Sequence, residues 1–374
     1  MNIPLSEPDI AESDIDEVVA ILRGPRLSLG PKMEEFEDLV SRYVGQEYGI
    51  AVSSGTAGLH LCIRALGIGP GDEVLVPSFT FIAAANAVRY EGAVPVFVDI
   101  ESRYLNIDPD RIEAAVTPRT RAIIAVHTFG CPADMDAILD IANRYHLRVI
   151  EDACEAIGAK YHGRTVGTFG DAAVFAFYPN KQITTGEGGL VVTRDPLLAR
   201  EMRAMRNHGR FETDEWHQHS ILGYNYRLSE INCALGCAQI RRIEDILALR
   251  ERVARKYEEQ LRGLSSLILP PTELDWGRPS WFVYVVRLES HFCMDQRDSI
   301  AHELKWRGIA CGRYFAPIHT QPAYAGQPSR LPLPITEFVS QRTLALPFFS
   351  RLDDERIRCV TESLRAAIEA VARQ

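Results

Sequence analysis

One lysine stands on a short polar turn between two uncharged runs, in Phe175-Ala176-Phe177-Tyr178-Pro179-Asn180-Lys181-Gln182-Ile183-Thr184-Thr185-Gly186-Glu187-Gly188-Gly189. Ala172 to Phe177 ahead of it and Gly189 to Thr193 behind it carry no charge, so both read as strands buried on both faces. Lys181 therefore sits at a strand end. A lysine desolvated there loses its proton near neutral pH and acts as a Schiff-base nucleophile. Taken alone, it reads more readily as an ordinary solvated loop lysine, and the residues around it must overturn that reading.

Three other groupings have the types and placement for chemistry. Ser53-Ser54-Gly55-Thr56-Ala57-Gly58-Leu59 follows a short apolar run and opens a helix, which aims free N–H groups and the positive helix end at an anion. That geometry favours a phosphate by about 0.3–1 kcal/mol, and it also fits an ordinary serine-capped helix. It is neither a Walker A loop nor a GxGxxG fingerprint. Glu151-Asp152-Ala153-Cys154-Glu155 follows the apolar pair Val149-Ile150, at the carboxyl end of a strand, where open α/β sheets bind ligands. An acid there would hold a proton on a heteroaromatic nitrogen, worth about 1.5–3 kcal/mol as a charge-assisted hydrogen bond, or bind a metal, or cap a helix. Phe79-Thr80-Phe81 offers an aromatic face to a flat ring, or plain core packing. None of these is specific alone. A phosphate cup, a stacking aromatic, an acid for a ring nitrogen and a Schiff-base lysine, in that order along an α/β chain, are together what pyridoxal 5'-phosphate requires.

The elements that must hold these residues alternate in period. Ser13-x-x-Asp16 reads as a capping box opening a helix with Ile15, Val18, Val19 and Leu22 on one apolar face, and Pro31 opens a second. From Tyr48 onward short apolar runs alternate with helical segments such as Ala133 to Tyr145, the pattern of a parallel-rich sheet wrapped by helices. A helix over Pro196 to Met205 precedes a stretch without period, Arg206 to Tyr226, of the kind that is functional or interfacial. Leu228 to Leu261 reads as a bent or broken helix. A strand at Phe282 to Leu288, a helix near Arg297 to Arg307 and many prolines between Pro317 and Pro347 follow. The expected division is a large domain over 1–242 and a smaller α+β domain over 243–374.

The 374 residues carry 41 Lys and Arg against 50 Asp and Glu, a net charge of -9 with no basic stripe, which argues against nucleic-acid and anionic-membrane partners. Met1 to Ile10 lacks the basic and apolar blocks of a signal peptide, and the longest apolar stretch, Val74 to Val88, is broken by Pro77, Ser78, Thr80 and Asn86. A cytoplasmic protein is expected. The eight cysteines are scattered, without a CxxC pair; they read as small buried hydrophobes, and no metal is expected.

With these residues in hand the chain resembles the DegT/DnrJ family, nucleotide-sugar aminotransferases of the aspartate-aminotransferase fold type I. The likeness rests on Gly30-Pro31 with Glu34 and Phe36, Ser53-Gly55-Thr56-Ala57, Pro77 to Phe81, Glu151-Asp152-Ala153, Tyr178 to Gly189, Arg206-Asn207-His208-Gly209, Gly223-Tyr224-Asn225-Tyr226-Arg227, Leu331-Pro332 and Leu346-Pro347. It implies an α/β large domain whose mostly parallel mixed sheet lies between helices. It further implies that Lys181 binds the cofactor covalently, Asp152 faces its pyridine nitrogen, Phe81 stacks on its ring, and the Gly55 and Thr56 amides bind its phosphate. Asn225 matches a residue that reaches the cofactor phosphate of the neighbouring subunit, so a homodimer with shared sites is implied. The implied reaction moves an amino group from an amino acid, glutamate by family habit, to a keto-sugar nucleotide. His127, His208, Arg227 and His319 are candidates to meet that nucleotide, or are structural.

Two positions depart from the family pattern. Ala176 stands where a serine often donates to the phosphate, and Asn180 or Thr185 would have to compensate. Glu155 stands where Gln or His is usual, near the cofactor's phenolic oxygen, so a raised Glu155 pKa is expected. Rival readings are a transaminase acting on a cyclitol or aminobenzoate precursor and a non-catalytic regulator on the same scaffold. Related sugar dehydratases carry histidine in place of the lysine, and Lys181 counts against them.

Overall fold

The short apolar runs become strands of one buried sheet. The computed structural model describes residues 2–325 and 329–373, so part of the late proline-rich stretch, 326–328, lies outside the described residues. The strands are β1 (Tyr48–Val52), β2 (Glu73–Pro77), β3 (Val94–Val98), β4 (Thr120–Val126), β5 (Arg148–Asp152), β6 (Lys160–Tyr161), β7 (Arg164–Thr165), β8 (Ala172–Ala176), β9 (Gly189–Thr193), β10 (Leu267–Ile268), β11 (Gly277–Arg278), β12 (Tyr284–Leu288) and β13 (Thr343–Leu346). The helices are α1 (Glu12–Leu22), α2 (Pro31–Val44), α3 (Gly55–Ala65), α4 (Ala83–Tyr90), α5 (Pro109–Ala115), α6 (Met135–Tyr145), α7 (Pro196–Arg206), α8 (Glu230–Arg241), α9 (Ile243–Leu261), α10 (Met294–Trp306), α11 (Pro334–Ser340) and α12 (Asp354–Ala372).

The seven-stranded sheet has the order β1-β9-β8-β5-β4-β2-β3. Only β9 runs against its neighbours, pairing antiparallel with β1 and β8, while the other pairs are parallel. Alternation along the strands feeds two faces. Val174 and Val191 meet Leu59, Ile63 and Met202 of α3 and α7, and Ala173, Phe175, Leu190 and Val192 meet Phe36, Val40, Cys233 and Cys237 of α2 and α8. Helices cover both faces, which explains why these strands carry no charge.

A second core lies in the last third of the chain. The small sheet β10-β12-β13 packs Tyr284, Val286, Leu344 and Leu346 against Tyr257 of α9, Leu304 of α10 and Val360 and Leu364 of α12. Ile3 joins this cluster, bridging to Ile309. The expected break inside 228–261 falls at Arg242, between α8 and α9.

Two buried charged residues, Glu230 and Arg206, are structural. Glu230, fully buried, accepts from the Lys32 and Met33 amides at 2.9 and 3.0 Å and so caps α2 from 198 residues away; a Cβ on Gly30 would collide with its carboxylate. Arg206, also buried, bonds to the Glu37 carboxylate and to the Ala51 carbonyl, tying α7 to β1.

The first helix departs from its expected form. It starts at Glu12, before Ser13, and its cap is the Asp14 carboxylate, which accepts from the Ala11 amide at 2.9 Å. Asp14 is its buried residue, bonded to Gln239 and Arg242, whereas Ile15 and Leu22 are exposed. Periodicity revealed an apolar stripe there, but a polar anchor docks the helix. Among the described residues every cysteine is free, and Cys293 is exposed, contrary to a buried reading for all eight. No helix of the described residues is long and apolar enough to cross a membrane.

Candidate active site

The ends of β1, β2, β4, β5 and β8 and the start of β9 meet at one edge of the large sheet, and a cavity of about 420 Å³ opens there. Gly55, Thr56, Phe81, Asp152, Glu155, Asn180 and Lys181 all line it. Asn225 does not.

The lysine turn is tied at both ends. Phe177 N–H donates to Gly188 O at 3.0 Å, Thr185 N–H to Phe177 O at 2.9 Å and Lys181 N–H to Tyr178 O at 2.9 Å. Gly186, at a φ of +82°, lets the chain reverse, and the Gln182 side chain reaches across to Glu155 O at 2.6 Å. The Lys181 amine is thereby held 3.9 Å from the centre of the Phe282 ring and 3.5 Å from Glu155 Oε1.

The cup is the first turn of α3. Ser54 accepts from the Ala57 amide through Oγ and from the Gly58 amide through its carbonyl, both at 3.1 Å. The amides of Gly55 and Thr56 come too early in the helix to have an intrahelical acceptor, so they stay available to an anion. Close approach is built in. A Cβ on Gly189 would lie 2.5 Å from Ser54 C and O, and one on Gly55 would lie 2.9 Å from Ala176 Cβ and Cys154 Sγ.

Strand alternation separates the two acids of β5. Glu151 turns away from the cavity and accepts from the Gly167, Phe169 and Gly170 amides at 2.7–2.8 Å and faces His127 Nε2 at 3.0 Å. Asp152 turns into the cavity, its Oδ1 accepting from the Cys154 amide at 3.2 Å. Burial, reinforced by the Asp152 charge and opposed by Lys181 and the Phe129 amide, pushes the Glu155 carboxyl above its ordinary pKa. The direction is the one its sequence position implied. Burial first, then Asp152, also keep the Cys154 thiol protonated, which removes it as a nucleophile.

Sequence reasoning missed one wall. Phe282, Tyr314 and Phe315 line the cavity from the C-terminal part, with Phe315 stacked at 5.3 Å on both Tyr314 and Phe129. A few late aromatics among many gave no local signal. Ser54, Thr80, Tyr178 and Glu187 also line the cavity. Of the two donors expected to make up for Ala176, Thr185 spends its hydroxyl on Glu187 O at 2.7 Å and lies off the cavity, whereas Asn180, whose side-chain NH2 group is the donor, lines it. His127, His208, Arg227 and His319 do not line the cavity. His127 faces Glu151, His319 is bonded to Ser78 at 2.7 Å and Arg227 to Asn207 at 2.9 Å, so these three are structural hydrogen-bonders.

Asn225 is exposed on a strap whose flanks are pinned. Tyr224 and Tyr226 stack at 4.9 Å, Tyr224 donates to Glu91 at 2.9 Å, and Tyr226 meets His60 at 3.0 Å.

Residues 8–365 match the DegT/DnrJ/EryC1/StrS aminotransferase family. The chain belongs to that family. It is an aminotransferase, and its fold is that of the solved aminotransferases of this group. It is 45% identical over 298 residues, 80% of each chain, to GDP-perosamine synthase of Caulobacter vibrioides. It superposes on the putative sugar aminotransferase Spr1654 from Streptococcus pneumoniae, solved in its PMP form, with a TM-score of 0.95 at 28% identity, covering 100% of this chain and 99% of that one. DesV of S. venezuelae gives a TM-score of 0.91 at 36% identity over 98% and 99%.

Proposed function

We propose that this aminotransferase moves an amino group from an amino acid, L-glutamate, to a keto-sugar nucleotide, with pyridoxal 5'-phosphate as its cofactor, and that it works as a cytoplasmic homodimer. One observation carries the reading: a partly buried amine, a carboxylate at a strand end, an exposed phenyl ring and two free helix amides converge on one cavity. The donor set fits the cofactor. Gly55 and Thr56 would bind the phosphate, assisted by Ser54 or Asn180 in place of the absent serine at 176, Phe81 would cover the ring, and Asp152 would keep the ring nitrogen protonated. Bound there, the group supplies an aldehyde for covalent capture of amines and an electron sink for carbanions. Lys181 would attack as the neutral amine, be displaced by the incoming amino donor and, once free, carry the proton that leaves the donor's α carbon to a carbon of the bound group.

The relative named for GDP-perosamine and the sugar aminotransferases among the solved neighbours support a nucleotide-linked sugar as acceptor. Charge supports a second copy. Among the described lining residues Lys181 is the one cation, against Asp152, Glu155 and Glu187, so anionic substrates need positive charge from outside this wall. A partner's 206–227 strap, which carries Arg210 as well as Asn225, is the proposed source. We further take 1–242 and 243–374 as the two domains.

Borohydride reduction of the loaded protein, followed by peptide mass mapping, should fix a pyridoxyl group on Lys181, and glutamate should discharge the visible band. Screening keto-sugar nucleotides for glutamate-dependent amine formation then tests the acceptor. A protein that binds the cofactor but aminates no member of the panel would overturn the sugar assignment.

A further inference from the structure

Glu155 is fixed at one oxygen and turned toward Lys181 with the other. Phe129 N–H donates to Oε2 at 2.9 Å, and Oε1 faces the Lys181 amine at 3.5 Å, the outer limit of a hydrogen bond. The anchor is rigid. Phe129 holds a left-handed φ of 57°, its ring stacks on Phe315, and at the adjacent Gly130 a Cβ would lie 1.7 Å from Ser280 O. The carboxylate therefore gives up a fixed amide donor if it swings away from the lysine.

We propose that Glu155 is a catalytic residue that trades one proton with Lys181. An N–H bond of the ammonium breaks, its electron pair stays on nitrogen, and an O–H bond forms at Glu155 Oε1; the reverse transfer restores the ion pair. The inference rests on the proposed function, in which Lys181 must be neutral to attack and charged after it takes a proton from carbon. A fixed neighbour at 3.5 Å is the shortest route for that proton.

The surroundings favour the exchange. Asp152 on β5 adds a negative charge that disfavours a second carboxylate, and Tyr314, from the C-terminal part, is kept neutral by burial and by Glu155 itself. Burial raises the Glu155 carboxyl, and Lys181 is the first influence opposing that rise. When the lysine nitrogen loses its charge, the protonated carboxyl is what the site prefers.

The test is an infrared titration of the protonated-carboxyl band in cofactor-free, full-length protein. The Glu155→Gln spectrum is subtracted to isolate the residue. Lys181→Met should raise the midpoint of this band by about one pH unit or more, tenfold in proton affinity, whereas Lys181→Arg, a permanent cation, should leave it near the wild type. Equal midpoints in the wild type and Lys181→Met would overturn the exchange. Should Glu155→Gln not fold, the Lys181→Met minus Lys181→Arg difference carries the same signal. In the loaded enzyme, Glu155→Gln should lose the acid-side inflection of kcat while borohydride still fixes the cofactor on Lys181. A fixed adduct with an unchanged inflection refutes the role of Glu155; loss of the adduct from the wild type itself refutes the proposed function instead.

Discussion

Gly189→Ala tests how the cup is built. Gly189 pairs with Val52 on one side and Ala176 on the other, so it joins the strand before the cup to the strand before the lysine. The added methyl carbon would lie 2.5 Å from Ser54 C and O and 2.7 Å from Gly55 N. Carbon contacts settle near 3.5–4.0 Å, so the first turn of α3 must withdraw by about 1 Å. All three obstructing atoms are backbone, and no rotamer relieves them. Overpacking of this kind costs about 1–3 kcal/mol, a fall in Tm of roughly 1–4 °C for a chain of this length. Loss of one amide-to-phosphate hydrogen bond costs about 1.5–3 kcal/mol, or about 10- to 150-fold in cofactor affinity. The assay is titration of cofactor-free protein with pyridoxal phosphate, followed by visible absorbance, beside thermal unfolding. Gly69→Ala serves as control, since its Cβ would meet only Glu91 O at 3.9 Å. Wild-type cofactor affinity in folded Gly189→Ala would refute the reasoning that Gly189 holds the cup in place.

Other perturbations separate the roles. Phe81 is 61% exposed, so Phe81→Ala should leave Tm within about a degree while weakening cofactor binding about 2- to 12-fold, the worth of one aromatic stack; a large Tm loss would instead mark a core residue. Lys181→Ala and Asn225→Ala proteins should each be impaired alone, yet subunit exchange between them should restore activity, because the hybrid dimer holds one site with both residues intact. No recovery would count against shared sites. Glu73 shows the acid limit of stability. Burial raises its carboxyl, but Arg330, Thr117 and Arg119 bond to it and carry it down to about 2. A depressed folded-state pKa stabilises above the unfolded value and is lost as pH falls toward the folded one. Wild type should therefore lose stability between about pH 4 and 2, and Glu73→Gln should lose less over that window in urea melts. Parallel pH slopes would contradict the assignment.

The sheet and most of the cavity were readable because their signals are local. Uncharged runs mark strands covered on both faces, and Lys181, Asp152 and Gly55 each lie within a few residues of such a run. The aromatic wall was not readable, since Phe282, Tyr314 and Phe315 reach the lysine only through tertiary packing, more than 100 residues on for the first of them. The orientation of α1 was misjudged for a related reason: the Ile15 stripe is periodic, but Asp14 settles which side faces inward, through Gln239 and Arg242 on distant helices. Thr185 looked free as a donor because sequence does not reveal that the Glu187 carbonyl turns back toward it.

The late origin of that wall has a bearing on how the protein is made. A nascent chain that has already emerged through β9 carries the amine, the acid and the cup, yet lies open to bulk water where Phe282, Tyr314 and Phe315 will later stand. Premature termination before residue 282 would leave the reactive lysine hydrated and poorly gripped. Tight retention of the yellow cofactor thus reports that translation passed Phe315.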